Sequence, residues 1–181
     1  MRRLKYLVAA TPDGRIARLD GSFDFFGAAG DAHVADYLAS LRQFDAVLMG
    51  RKTYEVGLAM GVTDPYPFLD TYVFSSSMIE SPNARVRVIG GDPASWVREF
   101  KQRAGGDIYL CGGAQLAAAL LEGALIDEIV VKLNPLLLGD GLPLFSAVPK
   151  PALLELVATK SYENGVILLT YRLNGDRAAA Q

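Results

Sequence analysis

The chain has 181 residues, and 18 lysine and arginine residues against 20 aspartate and glutamate residues give a formal net charge of −2. Hydrophobic residues make up 51% and charged residues 21%, ordinary globular proportions that argue against bulk disorder. The near-neutral balance argues against nucleic-acid binding, and no apolar run approaches the ~18 residues that a membrane span needs. We therefore expect a cytoplasmic protein with one domain over residues 1–175 and a frayed tail over residues 176–181.

The first half of the chain alternates predicted strands and helices. Its predicted elements are a strand over 4–10, a turn-rich loop, a helix after Asp31, a strand over 46–49, a helix from about Lys52 and a strand over 71–74. Asp31 is the expected N-cap, and Val34, Leu38 and Leu41 recur at helical spacing after it. This part of the chain therefore predicts parallel strands joined by helices.

The second half continues the alternation and ends differently. It predicts strands over 86–89, 108–111 and 128–133, a helix starting at Asp92-Pro93, an alanine-rich helix over 114–122, and a hairpin over 153–160 and 166–173. The fold class is therefore α/β, with a mostly parallel central sheet flanked by helices and an antiparallel C-terminal hairpin closing one edge.

Ligands of such sheets bind beyond the carboxyl ends of the strands, and three predicted strand ends carry unusual residues. Arg51 and Lys52 stand at a predicted helix N-terminus, where cations are disfavoured by about 0.3–1 kcal/mol each. A bound anion would reverse that sign, so the pair indicates a phosphate site, although both side chains could simply extend into water.

Two further strand ends carry weaker signals. Gly112 and Gly113 lie between a strand and a helix, where they would let a backbone approach an anionic ligand or would merely form a tight turn. Ser75-Ser76-Ser77 places hydroxyl donors at the end of the third strand, in a segment where serines are common anyway. Neither a dinucleotide glycine fingerprint nor a P-loop is present.

Hydrolytic and metal chemistry find little support. The chain has one cysteine, Cys111, and one histidine, His33, which excludes an internal disulfide and a histidine-rich metal site. A serine triad is poorly supported because there is no GxSxG elbow. Cys111 follows an apolar strand, which favours a structural thiol over a nucleophile, and His33 is expected at the surface.

The ordered set of strand ends resembles a known family. The stretches GRKTYE over 50–55, FSS over 74–76 and Gly112-Gly113 stand in the order found in dihydrofolate reductases. The stretch LNPLLLGDGLPLF over 133–145 is more similar to the reductase (C-terminal) domain of bacterial riboflavin biosynthesis. The resemblance covers residues 4–173 and implies a dihydrofolate reductase-like fold with NADPH as cofactor.

The resemblance also implies where NADPH would bind. Around the nicotinamide it places Ala10 and Ile16. On the diphosphate side it places Gly50, Arg51, Lys52, Thr53, Gly112, Gly113, Ala114, Gln115 and Leu116, with Gly112-Gly113 as a candidate cis peptide. Near the 2′-phosphate it places Arg51, Ser75 and Ser76.

The substrate side departs from the folate enzymes. Their pteridine-binding acid sits on the first helix at a position that is Val34 here, and Asp36 is expected to face solvent. Asp31 is then the candidate catalytic carboxylate, or only a helix cap. Aromatic residues of the loop over 21–30 could stack on a heterocycle or merely pack the loop: Phe23, Phe25 and Phe26.

These features predict an NADPH-dependent reductase of a small heterocycle, of the pyrimidine, pterin or riboflavin-precursor type. It would resemble dihydrofolate reductase or 5-amino-6-(5-phosphoribosylamino)uracil reductase. The alternative is a non-catalytic dimer that binds NADP(H) or another small ligand. A homodimer is expected in both cases, because relatives pair through this half of the chain and several apolar residues crowd one Gly/Pro-rich segment: Leu136, Leu137, Leu138, Leu142, Leu144 and Phe145.

Overall fold

The computed structural model describes residues 1–26 and 31–173, so the predicted tail over 176–181 lies outside the described residues. The helices are α1 (Ala32–Ser40), α2 (Arg51–Ala59), α3 (Pro93–Phe100) and α4 (Ala114–Glu122), and a 3₁₀ turn covers Leu41–Gln43. The strands are β1 (Leu4–Ala10), β2 (Arg15–Ala17), β3 (Phe44–Gly50), β4 (Asp70–Phe74), β5 (Val86–Ile89), β6 (Asp107–Gly112), β7 (Glu128–Leu133), β8 (Leu142–Pro143), β9 (Leu154–Ser161) and β10 (Ile167–Leu173).

Eight of the strands form one sheet in the order β5-β4-β3-β6-β1-β7-β10-β9. The first six are mutually parallel, whereas β10 runs antiparallel to both β7 and β9. This arrangement confirms the predicted α/β class with its antiparallel C-terminal hairpin. No helix within 1–26 and 31–173 is long and apolar enough to cross a membrane.

The sheet is covered on both faces because side chains alternate along its buried strands. Leu48 of β3 and Leu110 of β6 belong to a core cluster with Val97 of α3 and Leu116 of α4. The intervening side chains of the same strands lie in a second cluster, which Tyr54 of α2 and Tyr37 of α1 join. Helices α3 and α4 therefore cover one face, and α1 and α2 cover the other, called here the α1 face.

Helix α1 is rotated relative to the sequence prediction. Leu38, expected on the buried face, is 57% exposed, whereas His33, expected at the surface, is only 3% exposed. His33 and Tyr37, four residues apart, turn toward polar partners on Asn164 and Tyr109. Hydrophobic spacing misjudged this helix because the surface beneath it is partly polar.

Two short strands were not predicted, since pieces of two and three residues cannot show an alternating pattern. β2 and β8 form a separate antiparallel ribbon. The turn before β2 is tied to the 138–141 loop because the Asp13 carboxylate accepts hydrogen bonds from the amides of Leu138 and Gly139. A hydrogen bond from the Thr11 side chain, and then these two backbone bonds, lower the pKa of Asp13 to about 2. The Arg15 guanidinium donates to the carbonyl oxygens of Gly139 and Gly141.

The apolar segment expected to form a dimer interface is divided in the structure. Leu144 and Phe145 pack against the core cluster of the α3/α4 face, whereas Leu137 is 74% exposed. The outermost strand, β9, is exposed along all eight of its residues, including Leu154 and Leu156. The exposed apolar surface of this half of the chain therefore extends to the sheet edge, beyond the segment that the sequence singled out.

Candidate functional site

The candidate site lies where the carboxyl ends of β3 and β6 meet. After β3 the chain passes through α2 on the α1 face to β4, and after β6 it passes through α4 on the opposite face to β7. Neighbouring parallel strands whose crossovers leave in opposite directions form a topological switch point, the place where α/β sheets bind ligands. The connections themselves are Gly50 and Gly112-Gly113, as the sequence predicted.

These two glycine turns approach each other closely. A Cβ added to Gly50 would lie 3.7 Å from the Gly113 nitrogen and 3.9 Å from the Leu116 Cβ, and one added to Gly113 would lie 3.2 Å from the Thr53 Oγ1. The peptide bond between Gly112 and Gly113 is cis, which confirms that prediction. The structure thus brings Gly50, Thr53, Gly112, Gly113 and Leu116 into one surface of mostly bare backbone.

Two helix N-termini face this surface. Gly50 caps α2 and Gly113 caps α4, and neither glycine can supply a side chain to the N–H groups of the first helical turn. Each helix has nine residues and contributes the positive end of its dipole. Uncapped N–H groups of two helices directed at one point form an anion-binding arrangement.

Arg51 and Lys52 begin α2 beside these N–H groups. The Arg51 guanidinium Nη1 donates to both carboxylate oxygens of Glu55, at 2.6 and 2.8 Å, so part of its charge is balanced within the helix. Lys52 is exposed. The sequence argument from two uncompensated cations is therefore weaker for Arg51, although both side chains stand at the edge of the candidate site.

Ser75 and Ser76 lie one strand further out. Gly50 pairs in register with Phe74, so Arg51 and Ser75 leave neighbouring strands at the same height. The Ser75 Oγ accepts hydrogen bonds from the amides of Ser77 and Met78, which fixes the turn after β4. The segment is thus a short extension of the same edge and not a mobile serine-rich loop.

A crevice opens beside the glycine turns because β1 and β6 part. They are paired only from Leu4 to Tyr6, whereas β1 continues to Ala10, paired on its other side with β7. The Ala10 carbonyl accepts from the Asn134 backbone amide at 2.9 Å and from its side-chain amide at 3.2 Å. Ile16 of β2 packs at the same end, against the α3/α4 core cluster.

One side of this crevice on the α1 face carries neutral hydroxyl groups. The Tyr37 hydroxyl lies 3.0 Å from the hydroxyls of Tyr66 and Tyr109, and the Tyr66 hydroxyl lies 3.7 Å from the Cys111 Sγ. Burial raises the pKa of all three tyrosines and of the Cys111 thiol. These groups therefore stay protonated near neutral pH, which fits the prediction of a structural thiol.

The other side carries ionisable groups. Asp31 stands at the N-cap position of α1, as predicted, but its side chain makes no capping hydrogen bond. Its Oδ2 lies 3.8 Å from the His33 Nε2. Lys132 of β7 projects from the same sheet face and donates to the Phe26 carbonyl at 2.6 Å. Asp36, expected to face solvent, has a side chain that is 41% exposed and binds Lys160 and the Tyr162 hydroxyl.

Two open depressions lie nearby, of about 400 Å³ and 200 Å³. The larger is lined by Arg18, Leu19, Asp20, Leu138 and Asp140, and the smaller lies at the ends of β7 and β10. Neither depression is lined by the glycine turns. Converging backbone and helix ends define the candidate site.

Sequence reasoning found the backbone part of the site and missed most of its polar side chains. The sequence places Lys132 and Tyr109 in predicted strands, Tyr37 in a predicted helix and Tyr66 in a turn. The available signal for Lys132 was a lysine inside the apolar run EIVVKL of β7. Phe23 is largely exposed, whereas Phe26 is buried and contacts Phe25, and the rest of their loop, 27–30, lies outside the described residues.

Comparisons with known proteins agree with this geometry. The model of the RibD C-terminal domain family matches residues 3–168. The chain is 31% identical over 170 residues to the uncharacterized protein YwjB of Bacillus subtilis (strain 168), covering 92% of this chain and 96% of YwjB.

Solved structures show the same fold. A Shewanella sp. PV-4 protein named for riboflavin biosynthesis superposes with a TM-score of 0.83 at 24% identity, covering 95% of this chain and 99% of that one. Dihydrofolate reductase from Enterococcus faecalis, solved with NADP(H), superposes with a TM-score of 0.68 at 16% identity, covering 95% and 96%. The sheet and helices are therefore those of the dihydrofolate reductase fold.

His33 makes the stability of the protein depend on pH. Burial, and then the charge of Lys132, lower its pKa below the ordinary 6.5. Between the pKa of His33 in the folded protein and its higher pKa in the unfolded chain, the unfolded chain binds more protons. The free energy of unfolding is therefore highest above the unfolded-state pKa and falls as the pH drops through the folded-state pKa. We expect His33→Gln to flatten this slope. Urea unfolding at about pH 5.5 and 7.5 measures the free energy of unfolding at each pH. An equal difference between the two pH values in both proteins would contradict the assignment.

Proposed function

This chain belongs to the RibD C-terminal domain family, and on that basis we propose that it is an NADPH-dependent reductase of a small heterocyclic compound. The observation that carries the proposal is the meeting of two uncapped helix N-termini at the glycine turns after β3 and β6. The fold is that of reductases, and a switch point with this backbone suits the diphosphate of a dinucleotide.

The residues around the switch point fit NADPH. The amides at the starts of α2 and α4 would hold the diphosphate between Gly50, Thr53 and the turn over 112–116. Arg51, Ser75 and Ser76 would face the 2′-phosphate, with Lys52 adding positive charge beside them. Ala10 and Ile16 would lie against the nicotinamide. When bound there, NADPH supplies a hydride, and the protein needs to position it and to manage a proton.

The α1 side of the crevice suits a polar ring. Neutral hydroxyl and thiol groups lie on one side and charged groups on the other, so a heterocycle with both donors and acceptors finds partners on each. Pyrimidine, pterin and riboflavin-precursor rings have this character. Asp31 is the carboxylate that serves proton transfer to the bound ring.

A second candidate is a non-catalytic protein that binds NADP(H) or another small ligand. It is favoured by Val34, which stands in α1 where the folate enzymes place their acid. The two functions share the cofactor site and differ only in turnover.

NADPH should bind more tightly than NADH. A charge-assisted contact to the 2′-phosphate contributes about 1.5–3 kcal/mol, so Arg51→Ala should weaken NADPH binding roughly tenfold or more and leave NADH unchanged. Quenching of protein fluorescence during titration measures both affinities. Arg42→Ala, at an exposed arginine in the 3₁₀ turn after α1, is the control. Equal affinities for the two cofactors in the unmodified protein would refute the 2′-phosphate assignment.

Turnover should depend on Asp31. NADPH oxidation is followed at 340 nm with 5-amino-6-(5-phosphoribosylamino)uracil, dihydrofolate and pterins. Because asparagine caps a helix nearly as well as aspartate, Asp31→Asn should leave the melting temperature almost unchanged. Loss of the Asp31 carboxylate, on which proton transfer to the ring depends, should lower the rate roughly 10²–10⁴-fold. Full activity in the variant would remove Asp31 from the mechanism, and bound NADPH without any oxidation would favour the non-catalytic alternative.

We also propose that the protein is a homodimer. β9 is a fully exposed edge strand bearing Leu154 and Leu156, and such edges usually pair or are covered. Light scattering at micromolar concentration should give the mass of two chains, and Leu156→Glu should shift it to one chain. Leu19→Glu, at another exposed leucine, is the control. A single-chain mass for the unmodified protein would exclude the dimer.

A further inference from the structure

Lys132 is a charged residue near the carboxyl end of β7, one strand beyond the crevice between β1 and β6. It lies next to last in β7, in register with Ala9 of β1 and Leu168 of β10. Side chains in register share one sheet face, so Lys132 projects beside Ala9 on the α1 face. Its ammonium group therefore stands one residue from Ala10, at the end of the strand where the nicotinamide is proposed to lie.

The surroundings of Lys132 hold its ammonium without neutralising it. The Nζ donates to the Phe26 carbonyl at 2.6 Å and lies 5.8 Å from the Phe26 ring centroid. Asp31 and His33, from the start of α1, are the titratable groups whose charges act on this cluster, and its strand neighbours Ala9 and Leu168 carry none. Desolvation lowers the pKa of Lys132, and the Asp31 charge opposes that shift.

His33 completes the cluster from the buried side. Its side chain is 2% exposed, its Nδ1 lies 3.3 Å from the Asn164 Nδ2, and its Nε2 has no hydrogen-bond partner among the described residues. That nitrogen lies 3.8 Å from the Asp31 Oδ2. Burial and the charge of Lys132 lower the pKa of His33, whereas the charge of Asp31 raises it.

We propose that Lys132 donates the proton that accompanies hydride transfer, with Asp31 as the positioning residue that acts through it. The inference rests on the proposed reductase function. The carbon of a substrate C=N or C=O bond takes the hydride of NADPH, and the π electrons move to the nitrogen or oxygen. That atom takes a proton from the Lys132 Nζ, and the neutral amine recovers a proton from water. NADP⁺ and the reduced substrate leave.

Lysine suits this role at this position for a physical reason. A partly desolvated ammonium gives up its proton more readily than one in water, and the hydrogen bond to a backbone carbonyl fixes its direction. Arginine would keep the charge and the hydrogen bond but not lose its proton near neutral pH. Proton donation and simple charge stabilisation therefore predict different results for the same pair of substitutions.

The experiment compares Lys132→Arg and Lys132→Met in NADPH oxidation with 5-amino-6-(5-phosphoribosylamino)uracil. If Lys132 donates the proton, both variants are expected to oxidise NADPH roughly 10²–10⁴-fold more slowly than the unmodified protein. Lys132→Arg with near-normal rates, beside an inactive Lys132→Met, would overturn donation and leave only a charge role. Lys150→Arg and Lys150→Met, at an exposed site, are the matched controls.

A second measurement does not depend on turnover. Reductive methylation with ¹³C-formaldehyde labels the lysines, and an NMR titration follows the chemical shift of each labelled lysine as the pH changes. The Lys132 signal, assigned by its loss in Lys132→Arg, is expected to titrate at lower pH than that of Lys150, and Asp31→Asn should lower it further. A Lys132 signal that titrates together with Lys150 would overturn the inference. Failure of the reductase function itself would appear separately, as no NADPH oxidation by the unmodified protein.

Discussion

The parting of β1 and β6 is the constraint on which the rest of the site depends. The two strands pair through Tyr6 and Leu110 and then separate, while β3 pairs with Gly112 only after a register shift. Main-chain hydrogen bonds would otherwise close the edge of the sheet, and a closed edge leaves no room for a ligand between strands. The cis peptide and the glycines lie at this same point, so bare backbone replaces a filled core.

The two sides of the crevice between β1 and β6 carry different chemical groups. α2 and α4 leave on opposite faces, so each delivers a helix N-terminus to the gap from its own side. The α1 face then receives tyrosine hydroxyls over β6 and an ionisable group over β7. The proposed anion site and the proposed ring site are therefore only a few strands apart, which is the arrangement that a dinucleotide-dependent enzyme would need.

Charged side chains on the sheet lie in two clusters, one at each end of the strands. At the amino ends of the strands, Lys5 binds Asp107 and Glu128 in a paired network, which stabilises burial of all three. At the carboxyl ends, Lys132 has a carbonyl partner at 2.6 Å and a carboxylate acting on it from α1. The first cluster ties strands together, whereas the second stands where a substrate can approach.

The sequence by itself determined the strands of the main sheet, the helices after Asp92 and Gly113, the antiparallel hairpin and the glycine turns. These follow from local physics, because alternation, capping and φ preference act within a few residues. Only the tertiary structure decided that His33 is buried, that Leu38 is exposed, and that Lys132 faces Asp31 from a strand 101 positions away along the chain. Helix rotation and cross-strand register bring such groups together, and neither is written in the spacing of residues along a single segment.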